Sequence, residues 1–205
     1  VITPGMRPFL EEKLSLALLH HPRLEEYWRE NLDRKERELL CKTVPASWIL
    51  DPAPVPPGAF VDSPSVGGKR LGDWMDLANA SKKERSLIIK ASGFHETAWG
   101  ARSVVVGEDV SSEEWSSALS DALQSFPSPL FILQEFRKPV TMEHPVYGDK
   151  GKLDLMKGRL RLSPYYFSTG AGVNLCGALA TFCPADKKII HGMRDGALLP
   201  CVTNS

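Results

Sequence analysis

The chain has 205 residues, is 42% hydrophobic, and balances 25 lysines and arginines against 25 aspartates and glutamates. That length buries one large core or two smaller ones, and the balanced charge draws it neither to nucleic acid nor to an anionic membrane surface. No apolar run reaches the ~20 residues of a spanning helix, and no basic-then-apolar leader opens the chain, so the expected setting is cytoplasmic. Four cysteines, Cys41, Cys176, Cys183 and Cys201, lack any C-x-x-C spacing, and the expectation is reduced, buried thiols. The chain begins at Val1 rather than Met, which reads as a piece or trimmed copy of something longer.

The first 50 residues read as a helical segment. Pro8 suits a first helical position, and Leu10, Leu14, Ala17 and Leu18 repeat on one face before "HHP". Leu24, Tyr27, Trp28 and Leu32 continue the pattern, and Asp33 with Glu36 forms a capping box for a further helix. Residues 51–83 read as a linker with short helices. "DPAPVPPGAF" is too rich in proline for regular structure, and "SPSVGGKR" reads as loop. Its "GK" lacks the first glycine and the following Ser/Thr of a phosphate-binding P-loop, which excludes that motif. Trp74, Leu77 and Ala78 make a short helix, and "SKKER" a turn.

From residue 84 onward the pattern turns to strands. "SLIIK" and "SVVVG" flank a loop with Gly93 and Gly100, and Ser111 with Glu114 caps a helix whose Trp115, Ala118, Leu119, Ala122 and Leu123 share a face. "PLFILQEF" is apolar enough on both sides for an inner strand. The polar stretch from Pro139 to Lys157 reads as a long loop or exposed hairpin. "GRLRLSPYYF", "TGAG" and "VNLCGALATFC" read as strand, turn and strand, and "KKIIHG" as a last strand. The expected class is α+β, mostly antiparallel sheets with packed helices.

The run from Lys90 to Glu135 carries the chemistry. A strand-end lysine keeps a mobile cationic head, and burial lowers its pKa unless an anion compensates. The loop that follows offers Ser92, glycines and backbone amides, which together with a lysine can hold phosphate. "ILQEF" then supplies a hydrogen-bonding strand beside a carboxylate. Each feature alone has a plainer structural explanation; their order is what describes a nucleotide cleft. Protein kinases place the glycine loop before the lysine; here it follows. Of the histidines, His20 and His21 end a helix and are expected to meet its last carbonyls. His95 lies in the proposed phosphate loop, and His191 ends a strand.

Lysine, glycine loop, strand, helix and then "QEF" resembles the ATP-grasp superfamily of carboxylate–amine ligases. "FLEEKLSLALLHHP" with "KTVPASWI" is similar to the segment in which a lysine opens a helix before a "vP-x-T/S" signature. "GRLRLSPYYF…GALATFCPADKKIIHGMRDGALLPC" is similar to the arginine-bearing hairpin of circularly permuted members. The resemblance implies that residues 84–205 bind ATP, with Lys13 and Lys90 on its phosphates and Ser92, Gly93 and Gly100 in the closing loop. It implies Gln134, Glu135 and Phe136 along the adenine, and Arg161 near the transferred phosphoryl group. The implied reaction is phosphorylation of a carboxylate by ATP, followed by attack of an amine on the acyl-phosphate, with ATP and a small carboxylate and amine as partners. Mg²⁺ is an implied cofactor, but no "D…E-x-N" motif occurs. Asp186 and Asp195 read as surface turns, and the ligands are expected outside this chain. Two readings follow: the ATP-binding portion of such a ligase, or a catalytically silent ATP-grasp-like binding or scaffold module.

Overall fold

The structure, a computed structural model, describes residues 12–53, 63–92, 95–98, 100–148, 151–170, 172–187, 190 and 196–202. Among these the chain is α+β, with few helices and mostly antiparallel sheets. Its contacts divide it into two compact units, Val1–Arg137 and Lys138–Ser205.

In the first unit, α1 (Leu14–Leu19), α2 (Glu25–Asn31) and α3 (Arg34–Thr43) come first. The expected apolar face from Leu10 lies partly outside the described residues. Trp28 Nε1 donates to the Leu18 carbonyl at 2.9 Å and ties α2 back to α1. The Asp33–Glu36 capping box forms with both of its hydrogen bonds, and so does Ser111–Glu114 at the start of α4 (Ser112–Gln124). Each box satisfies amides that a helix end would otherwise leave bare.

Four strands make one sheet: β1 (Ser47–Ile49), β4 (Leu87–Ala91), β5 (Val105–Val106) and β6 (Phe131–Glu135), ordered β1-β6-β4-β5 with every pairing antiparallel. "SVVVG" is thus the antiparallel neighbour of "LIIK", and "FILQE" is an inner strand, as its two apolar faces require. A separate hairpin joins β2 (Ser65–Val66) to β3 (Lys69–Arg70). This corrects the loop expected at "SPSVGGKR". Gly67 and Gly68 hold φ of 59° and 73°, both in the region that a two-residue type I′ hairpin demands and that glycine enters at least cost. The glycines beside Lys69 therefore serve a turn.

Helix α4 covers one face of the four-stranded sheet. Trp115, Leu119 and Ala122, none more than 1% exposed, cluster with Leu87, Ile89 and Leu133 of the strands and with Leu77. The indole Nε1 of Trp115 donates to the Leu77 carbonyl at 2.9 Å, so the largest core side chain is also satisfied at its polar edge. On the opposite face α1 packs across β1 and β6.

The second unit is a sheet ordered β10-β9-β8-β7, from β7 (Thr141–Tyr147), β8 (Leu153–Thr169), β9 (Gly172–Pro184) and β10 (Ala197–Leu199). The polar stretch after Pro139 is the β7–β8 hairpin. "KKIIHG" falls mostly outside the described residues; the last described strand is β10, paired with β9. Gly158 lies against Phe182, where an added Cβ would meet the Cys183 carbonyl at 2.4 Å and the Phe182 ring at 2.7 Å. The cysteine expectation is corrected. Cys183 is buried, but Cys41, Cys176 and Cys201 are exposed, because Cys41 sits on a helix with no buried residue and Cys176 on an open stretch of β9. No helix among the described residues is long and apolar enough to cross a membrane.

Candidate functional site

Side-chain alternation sorts the first unit's sheet into two surfaces. The register places Trp48, Leu87, Ile89, Leu133 and Glu135 on the α4 side, and Ser47, Ile88, Lys90, Ile132 and Gln134 on the other. Lys90 lies opposite Ile132, and Gln134 sits two residues further along β6, a diagonal neighbour that long side chains can bridge.

They do bridge it. Lys90 Nζ donates to Gln134 Oε1 at 2.7 Å, Gln134 Nε2 donates to Ser47 Oγ at 2.7 Å, and Ser47 Oγ donates to the Pro45 carbonyl at 2.8 Å. The direction of this chain is fixed by chemistry. An ammonium only donates, so it takes the amide oxygen, and the amide nitrogen must then find an acceptor. Ser47 and Gln134 are 1% and 5% exposed. A relay of buried, satisfied groups across three strands thus holds the ammonium at one point of the sheet.

Lys13, the residue at the cap of α1, sits beside it. Its Nζ donates to the Ala98 carbonyl at 2.8 Å, which joins the helix start to the loop after β4. Burial lowers the Lys90 pKa, and the positive charge of Lys13 lowers it further. Two cations are held close enough to repel. Ser92 is buried just beyond the strand; its amide donates to the Leu130 carbonyl at 2.7 Å and its hydroxyl donates to Glu12 Oε1. The acid beside Ser92 is a participant that the sequence did not single out, although "EEK" places it one residue before Lys13.

Three of the residues named from the sequence therefore meet on this face, Lys13, Lys90 and Gln134, and Ser92 joins through the loop. Gly93 lies outside the described residues. Gly100 holds a φ of 63° with Ala101 at 61° behind it, consecutive left-handed residues that favour glycine at the first. The loop's described part is well tied: Ala91 N donates to Ser103 Oγ, and His95 Nδ1 contacts Thr97 Oγ1 at 2.8 Å. The backbone amides of His20 and His21 do meet the last carbonyls of α1, donating to Ala17 and Leu18 at 3.2 Å each, but the His21 imidazole turns away from that helix. Its Nδ1 accepts from Arg23 N at 3.2 Å and caps the turn that follows.

Glu135 projects to the other side of the sheet. Its exposed carboxylate stands 3.5 Å from the Arg137 guanidinium, an arrangement worth little in water. With Trp48, Glu84, Ser86 and Phe136 these two line an open cleft of about 690 Å³ at that end of the sheet. Consecutive strand residues cannot share one surface, so Gln134 and Glu135 serve different ones. Arg161 belongs to the second unit, on β8, where its Nη1 donates to the Ile190 carbonyl at 3.1 Å. Among the described residues no group of three or more His, Cys, Asp or Glu side chains could hold a metal ion.

The fold and site thus define an α+β protein with antiparallel sheets and a two-lysine cluster on a sheet face. Comparison with family models, curated proteins and solved structures finds no match for the chain.

Proposed function

We propose that the first unit binds ATP through the Lys13–Lys90 cluster and is the nucleotide-binding portion of an ATP-dependent carboxylate–amine ligase. One observation carries the reading: Lys90 is partly buried, anchored by a neutral amide, and depressed in pKa by burial and by a second lysine. Two mutually repelling ammonium groups cost stability unless something polyanionic joins them, and a nucleotide phosphate chain supplies that charge. Each lysine spends one donor on the protein, Lys90 on Gln134 and Lys13 on Ala98. An ammonium has three. The relay through Gln134 and Ser47 orients the first ammonium, and the helix start orients the second. Both act by positioning and charge neutralisation.

In the ligase reading a substrate carboxylate oxygen attacks the terminal phosphorus of ATP and ADP leaves. An amine then adds to the acyl-phosphate and inorganic phosphate leaves. Among the described residues no three His, Cys, Asp or Glu side chains gather for a metal ion, and this reading takes the Mg²⁺ ligands from outside the chain, with the nucleotide phosphates completing the site. The second reading is a module that binds nucleotide without turning it over. Calorimetry on the chain tests the binding that both readings require. Truncating one partner of a partly desolvated charge pair costs ~2–5 kcal/mol, so Lys90→Ala is expected to weaken ATP binding at least ~30-fold. Lys13→Ala acts in the same direction but less, because a helix start is wetter. ATP affinity unchanged in Lys90→Ala, or no heat with ATP in the unaltered chain, sinks both. ATP consumption dependent on an added carboxylate and amine separates the ligase from the silent module.

A further inference from the structure

The β8–β9 hairpin outruns its sheet. β7 pairs with β8 only as far as Arg159, and β10 pairs with β9 only at Ala180–Phe182. Beyond them Ser163–Thr169 and Gly172–Leu179 continue as a two-stranded ribbon, with Leu162 at its base opposite Ala180. The ribbon has one register irregularity: Tyr165 pairs with Gly177 and Tyr166 with Leu175, so Cys176 is an extra residue on β9. Following the register through that bulge places Leu162, Pro164, Tyr166, Val173, Leu175 and Ala178 on one face. Leu162 is 56% exposed, Tyr166 61%, Val173 70% and Leu175 53%. The sequence from Leu162 to Ala185 contains no charged residue at all.

A bare two-stranded ribbon is marginal in water, and becomes stable when its apolar face is covered. We propose that this face is a homodimer interface, in which the ribbon of one copy packs face to face on the same ribbon of a second copy. The absence of charge is the argument for a second copy. A two-fold contact sets each residue of the patch against the patch itself, so any charge near the axis would meet its own image; here there is none to repel. A binding face for an anionic bilayer would carry lysine or arginine around its apolar residues, and the ribbon face has neither. The area agrees as well. The four large side chains leave on the order of 500 Å² uncovered, and Pro164 and Ala178 extend the face toward the ~800 Å² per partner of a stable interface. Leu, Tyr and Val on a twisted ribbon also suit the sheet-on-sheet packing of two inner faces. The inference is independent of nucleotide binding, since every residue in it belongs to the second unit.

Light scattering and sedimentation of the full chain from about 1 to 100 μM test it. The unaltered chain is expected as a dimer over the upper part of that range. Val173→Glu places like charges across the two-fold and is expected to raise the dimer dissociation constant by ~100-fold or more. Tyr165→Glu on the opposite face is expected to leave it within a few-fold. Both positions are exposed, and an unchanged circular dichroism spectrum confirms that the variants fold. A monomer at every concentration overturns the proposal, as does a dimer indifferent to Val173→Glu. So does co-flotation of the unaltered chain with neutral phosphatidylcholine vesicles that Val173→Glu abolishes without a change of mass in solution. That outcome assigns the face to lipid.

Discussion

The two units solve the problem of a sheet's second face differently. In the first, strands of two to five residues are covered by α4 on one side and by α1 on the other, and the polar groups caught between are hydrogen-bonded in a relay. In the second, strands of 17 and 13 residues run far beyond what covers them. A covered sheet can hold a buried cation in register, because every neighbour is fixed. An uncovered ribbon offers area and no preorganisation. The proposed nucleotide site therefore falls in the first unit and the proposed association in the second.

The largest expected effect tests whether the first unit's order depends on its helix. Trp115 is fully buried at the centre of the cluster and donates to the Leu77 carbonyl. Trp115→Ala opens a cavity and strands that carbonyl, a loss of ~3–5 kcal/mol in unfolding free energy. Hydrogen exchange should show lost protection in β4 and β6 before β8 and β9. Equal loss in both units would erase the distinction drawn between them.

A smaller effect belongs to the second unit. Gly158→Ala pushes a methyl group against the Cys183 carbonyl and the Phe182 ring. Backbone and a fully buried aromatic can give little, so ~1–3 kcal/mol of destabilisation is expected by denaturant titration. The loss of protection should centre on Arg159–Phe182. If Gly158→Ala unfolds as the unaltered chain does, the buried base of the ribbon is not the tight contact described, and the second unit's order must come from elsewhere.

Much of this fold was legible in the sequence because local signals and burial agreed. The Asp33–Glu36 and Ser111–Glu114 boxes, the apolar face of α4, and the strands "LIIK", "VV" and "FILQE" all lie where their residues indicate. The site was legible in part. Lys13, Lys90 and Gln134 come together, but alternation sends Glu135 to the opposite surface, and the partnership of Gln134 with Ser47 spans 87 positions that no local pattern links. The β2–β3 hairpin was missed because two-residue strands carry too little periodicity; the paired glycines were the available signal. The exposed cysteines were missed because an apolar neighbourhood in sequence is not a buried one in space, least of all on a ribbon without cover.

The smallest effect concerns what fastens the β2–β3 hairpin to the rest of the first unit. Glu84 Oε1 accepts from Gly67 N at 2.6 Å, and its Oε2 accepts from Ser81 N and Ser81 Oγ at 2.8 and 2.6 Å. These bonds favour the ionised form, the Ser81 hydroxyl most, then the Gly67 and Ser81 amides, and hold the Glu84 pKa below the ordinary glutamate value. A carboxylate with a lowered folded pKa contributes stability that is whole above its unfolded value and is lost as pH falls through the folded one. The contribution is therefore present at neutral pH and disappears only in acid, and exposure keeps it modest. Glu84→Gln retains one acceptor oxygen but cannot accept from both sides. Its amides at Gly67 and Ser81 should exchange faster at neutral pH, with little change in melting temperature, and the difference from the unaltered chain should vanish in acid as Glu84 itself protonates. A difference that persists with Glu84 protonated would mean that the side chain's shape, not its charge, pins the hairpin.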